Sequence, residues 1–176
     1  MPILRILYFD TSAILCWFFK EPGSKNVEKI YQNLYLSQGN YSFNCSKNTQ
    51  AELYRKLEEK ISNKHERIKF IGIFDKLFII IEPFKNEGDE EKNDFYNNLI
   101  LRYPNFSKIK NSEDSKIIKD LFVCLGIFAK ESHPILISSD NEMCNVVKKE
   151  GYQFFNPKTM AYNDFLKMAD ESFFVG

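Results

Sequence analysis

Seven glycines and six prolines in 176 residues leave this chain few places to bend freely. A linker-rich or disordered protein carries far more of both. The 44% hydrophobic content, with 17 Phe and 9 Tyr, instead points to one compact domain with a sizeable core. Excess charge of either sign is missing too: Lys+Arg and Asp+Glu each number 24, so the formal net charge is zero. Bulk charge therefore does not mark a strongly basic nucleic-acid binder, although a local basic face is compatible with a neutral total. Zinc ligands are also short. Cys16, Cys45, Cys124 and Cys144 form no C-x-x-C pair, and His65 and His133 do not make up the set. Reduced, mostly buried thiols are expected. The N-terminal apolar stretch lacks a charged leader and is broken by Asp10. It reads as neither a signal peptide nor a membrane span, and the expected location is the cytoplasm.

Apolar runs alternate with amphipathic stretches, the pattern of an α/β domain with a central parallel sheet. Strands are expected at 3–9, 42–45, 77–82, 135–138 and 152–155, and helices at 12–20, 24–37, 49–62, 65–75, 92–102, 114–131, 140–150 and 159–170. Residues 1–176 read as a single domain. The polar, aperiodic segment 85–94 is an exposed loop, and 85–111 is the candidate insertion.

Chemistry gathers on acids at element ends. The run Ile3 to Phe9 stops at Asp10, then Thr11 and Ser12 open a helix. An acid at the carboxyl end of a first, central strand sits where α/β sheets bind ligands. Its bland reading is a helix cap, a role Ser12 could also fill. Asp140 repeats the setting after Ile135 to Ser138, where Ser139-x-x-Glu142 fits a capping box. In the helix from Asp114, the stripe Ile117, Ile118, Leu121, Phe122, Leu125, Phe128 and Ala129 faces the core. The wheel puts Asp114 near the middle of that stripe and Glu113 and Asp120 roughly 110–130° away, on the flank or solvent side. Glu52 falls off its own helix's stripe of Leu53, Tyr54, Leu57 and Ile61, and Thr49-x-x-Glu52 reads as a capping box. Taken together, carboxylates converging on one sheet edge are costly without a cation, and oxygen ligands suit Mg²⁺ or Mn²⁺.

Tyr8-Phe-Asp10-Thr-Ser-Ala-Ile14, Cys45-Ser-Lys-Asn-Thr-Gln-Ala-Glu52-Leu, Asp114-Ser-Lys-Ile-Ile118 and Ile137-Ser-Ser-Asp140-Asn-Glu follow one another across nearly the whole chain. In that order they resemble the four acidic motifs of the PIN domain, the nuclease family that includes the VapC-type toxins. The resemblance implies a three-layer α/β/α sandwich with strand order 3-2-1-4-5. It implies a metal-dependent endoribonuclease in which Asp10, Asp114 and Asp140 coordinate Mg²⁺ or Mn²⁺ and Glu52 completes the acidic pocket. By the same resemblance Ser138 touches a ligand water or the scissile phosphate, and Thr11 and Ser12 hold Asp10 through backbone contacts. The implied partners are RNA, an antitoxin protein if the chain is the toxin of a pair, and a second copy in a homodimer. Relative to compact VapC-type toxins there is extra chain around 60–75 and 85–111. Arg55, Lys56, Lys60, Lys64, Arg67 and Lys69 form a candidate basic face, although a solvated helix flank explains such a run as well. The alternative reading is a non-catalytic PIN-fold module that binds RNA or protein. A phosphatase using Asp10 as nucleophile ranks below both, because a haloacid-dehalogenase-like site wants a second Asp where Ser12 stands.

Overall fold

The computed structural model describes residues 5–35, 41–82, 94, 97–98, 101, 104–105, 116–117, 120–121 and 134–171. Five strands form one parallel sheet: β1 (Arg5–Phe9), β2 (Tyr41–Ser46), β3 (Phe78–Ile81), β4 (Ile135–Ile137) and β5 (Gln153–Phe155). Their order is β3-β2-β1-β4-β5, the expected one. The chain moves outward from β1 through β2 to β3 and then returns to the other side of β1. The crevice between the carboxyl ends of β1 and β4 is therefore the topological switch point.

Helices cover both faces because β1 is apolar on both. Leu7 and Phe9 enter the larger core, with α1 (Thr11–Phe18), α2 (Ser24–Ile30), α3 (Lys47–Lys60), α4 (Lys64–Leu77) and, further on, α6 (Tyr162–Glu171). Ile6 and Tyr8 point the other way, toward Ile117, Leu121 and α5 (Asn141–Lys149). Alternate side chains of one strand thus build two cores, as a buried parallel strand requires. Much of the aromatic content is spent here. Phe9, Phe43 and Phe78 pack across three neighbouring strands with ring centroids 5.1–5.9 Å apart, and Phe74 of α4 stacks on Phe78 at 4.9 Å. Cys16, Cys45 and Cys144 are buried free thiols, as expected.

Element boundaries shift by a residue or two, except that the helix expected at 159–170 starts three residues later, at Tyr162, and that one other helix changes type. The helix expected at 24–37 ends as α at Ile30 and continues as a π-turn, Tyr31–Tyr35. In the expected helices 92–102 and 114–131 the described residues Asp94, Asn97, Asn98, Leu101, Lys116, Ile117, Asp120 and Leu121 are helical. Asp114, Glu113, Cys124, His133 and the rest of the 85–111 insertion, apart from Pro104 and Asn105, lie outside the described residues. Among the described residues no helix is long and apolar enough to cross a membrane.

Candidate active site

Asp10 follows β1 directly, in extended conformation (φ −84°, ψ 157°), and its N–H donates to Ile137 O at 3.0 Å, continuing the ladder to β4. The side chain is 2% exposed. One oxygen, Oδ2, accepts from Ser12 N at 3.1 Å, Ser12 Oγ at 2.5 Å and Ser138 Oγ at 3.0 Å. Asp10 is therefore the N-cap of α1, and Ser12 supports it rather than replacing it. Burial pushes the Asp10 carboxyl up to about 6; the Ser12 and Ser138 hydrogen bonds oppose this, and the charge of Glu52 adds to it. A buried acid held by three donors and still raised that far is an expensive capping residue.

The two serines tie the ends of β1 and β4 together. Ser12 Oγ accepts from Ser139 N at 2.9 Å, and Ser138 Oγ accepts from Asp140 N at 3.0 Å. Asp140 caps α5 with Oδ1, which accepts from Met143 N at 2.9 Å. The capping box expected at Ser139 and Glu142 is thus out of register by one residue, because the helix starts at Asn141. The box expected at Thr49 and Glu52 fails in the same way. Helix α3 starts at Lys47, and Ser46 caps it by accepting from Thr49 N at 3.0 Å.

That leaves Glu52 available for another contact. Its Oε2 accepts from Thr11 Oγ1 at 2.7 Å, across 41 residues of chain. Thr11 therefore positions Glu52, while Ser12 alone of the pair holds Asp10. One pattern runs through all three acids. Each has one oxygen fixed by a protein donor, and among the described residues no protein donor takes the other: Oδ1 of Asp10, Oε1 of Glu52 and Oδ2 of Asp140.

Asp120 corrects the sequence reading. The helical wheel placed it on the flank or solvent side, yet it is 4% exposed and accepts from Asn48 Nδ2 at 2.8 Å. The wheel considered only the sheet side of its helix, whereas α3 covers the flank. Asn48 lies one turn before Glu52, so Asp120 approaches the same acid-bearing helix. Tyr8 OH donates to Ile117 O at 3.3 Å and fixes this segment against β1. Between it and α3 lies a cleft of about 220 Å³, lined among the described residues by Asn48, Ala51, Glu52, Arg55, Lys116 and Ile117.

The donors are hard oxygens, the set preferred by Mg²⁺ and Mn²⁺. Among the described residues no group of three or more His, Cys, Asp or Glu side chains is placed to hold a metal ion. The fit is to a hydrated cation, since Mg²⁺ binds through one or two carboxylates and keeps several waters.

Fold and site together define a doubly wound α/β protein with an acid-lined crevice at its switch point. No protein-family model matches the sequence, and no curated protein does. Among solved structures the chain is similar to one from the crystal structure of VapBC2 from Rickettsia felis bound to a DNA fragment from their promoter. The TM-score is 0.58 and the identity 17%, over 86% of this chain and 98% of that one. At this identity the likeness is one of fold.

Proposed function

We propose that this chain is a PIN-type, metal-dependent endoribonuclease that hydrolyses RNA phosphodiester bonds. The observation that carries the reading is the set of three half-engaged carboxylates, Asp10, Glu52 and Asp140, at the switch point of a 3-2-1-4-5 sheet. Mg²⁺ or Mn²⁺ bound there supplies an activated water and charge neutralisation at the phosphate. The protein's own part is orientation. Ser12 and Ser138 fix the Asp10 carboxylate, Thr11 fixes Glu52, and the Met143 N–H fixes Asp140. A further acid comes from the helix bearing Lys116 to Leu121. Asp120 is favoured by its burial beside Asn48, and Asp114 by its place in the resemblance.

The fold likeness extends the proposal to a toxin–antitoxin pair, with an antitoxin chain as partner. Purified protein with Mn²⁺ should cut single-stranded RNA, and Asp10→Asn should reduce the rate by about a hundredfold or more. Equal cutting by both proteins would assign the activity to a contaminant. In the same assay Asp120→Asn and Asp114→Asn identify the further acid by which of them loses activity.

A second reading, a non-catalytic PIN-fold module that binds RNA or protein, draws on the lack of a three-acid cage among the described residues. Mn²⁺ titration by calorimetry separates the two. Binding that disappears in Asp10→Asn supports the enzyme, and no binding supports the module.

A further inference from the structure

The cleft beside Glu52 has walls of a chemistry that the acids themselves do not explain. We infer that it seats the phosphodiester backbone of an RNA strand, with Arg55 and Lys116 pairing with a phosphate next to the one presented to the carboxylates. This rests on the nuclease reading above and adds to it a substrate-positioning subsite.

Asn48, Glu52 and Arg55 are spaced by four and three residues, so they form one stripe along α3. Glu52 sits between the amide and the guanidinium. Arg55 is about 4.5 Å farther along the axis from the acid that Thr11 ties to the start of α1. The opposite wall is held in place. Tyr8 OH bonds Ile117 O at 3.3 Å, and Asn48 bonds Asp120 at 2.8 Å. At about 220 Å³ the cleft is smaller than the roughly 300 Å³ at which pockets for drug-sized ligands begin. It has room for a phosphate and its sugar.

Charge sets Lys116 apart from other lysines of the chain. Lys60 and Lys158 both pair with Glu21, and Lys20 pairs with Glu28. Lys116, which is exposed, pairs with no carboxylate among the described residues. Arg55 pairs with Glu59 at 2.5 Å, but both side chains are about half exposed (47% and 48%), where an ion pair is worth about 0–1 kcal/mol. Glu59 also has Lys56 at 3.4 Å, so it keeps a partner when Arg55 turns to a phosphate. The planar guanidinium can take a phosphate through two parallel hydrogen bonds, which a lysine cannot.

The test uses the full chain carrying Asp10→Asn, which on this reading binds without cutting, and a short fluorescent single-stranded RNA. Anisotropy is followed across a salt series. Arg55→Gln and Lys116→Gln should each weaken binding on the order of fivefold near 0.1 M salt and reduce the log–log salt slope by about 0.7. Lys69→Gln, at an exposed position on α4, should bind like the parent. Parent-like affinity and slope in both cleft variants, or no binding by the parent at low salt, overturns the inference. An equal loss in Lys69→Gln overturns it as well, because general charge attraction then suffices. Cleavage by the unsubstituted protein is read separately, so the cleft can fail while the nuclease reading stands.

Discussion

Asp10 carries a conflict between stability and use. Its carboxyl is buried and raised to about 6, chiefly by desolvation. In the unfolded chain the same group titrates near 3.8. Between those values the folded state holds more protons, so stability falls as pH rises through the window. Above about pH 6 the full penalty applies, about 3 kcal/mol for a shift of roughly two units. Below about pH 4 both states are protonated and it vanishes. Asp10→Asn removes the charge and keeps the shape. The variant should melt several degrees above the parent at pH 7, with the gap closing toward pH 4 in a thermal scan across pH. A variant that melts lower at pH 7 would mean that the Ser12 and Ser138 hydrogen bonds outweigh the burial cost. Stability gained by deleting a buried charge is the expected mark of a residue kept for function.

At the scale of elements, Asp140 is a helix cap to which the proposed function gives a second use. Its Oδ1 caps α5 through Met143 N. Asn caps as well as Asp, whereas Ala costs about 1 kcal/mol at such a position. Asp140→Asn should therefore leave the melting temperature within a degree or two and still abolish RNA cleavage. Asp140→Ala should lose both. If Asp140→Asn cleaves normally, the residue is only a cap. Asp10 and Asp140 stood out in the sequence because an acid follows a strand end, directly at Asp10 and after two serines at Asp140, and a helix starts at the next residue. The other parts of the site are tertiary. Glu52 looked like half of a capping box until α3 was seen to start at Lys47, with Thr11 reaching it from another element. Asp120 looked outward because a wheel built on one helix has no information about α3 lying across its flank. The π-turn at Tyr31–Tyr35 was hidden for a different reason: an apolar pattern does not distinguish i→i+4 from i→i+5 hydrogen bonding.

For the whole molecule, the sheet order was legible only through the resemblance of the four acidic motifs to the PIN domain, and β1 and β4 are neighbours as that order requires. The same geometry makes the global stability of the chain a reporter of its ligand. A cation that binds the folded crevice and not the unfolded chain stabilises by mass action, about 2.7 kcal/mol at a hundred times its dissociation constant. For a chain of this length that is roughly 5–10 °C in melting temperature. On the proposed function the crevice takes the cation with Asp10 ionised, and burial raises that group to about 6 in the folded state. The proton therefore competes with the metal at pH 5 and hardly at pH 7. Saturating Mn²⁺ should raise the melting temperature at pH 7, raise it less at pH 5, and leave Asp10→Asn unmoved at both. EDTA should return the parent to its starting value. An equal rise in the parent and in Asp10→Asn would locate the binding elsewhere on the surface and leave the crevice as an inherited acidic pocket without its metal.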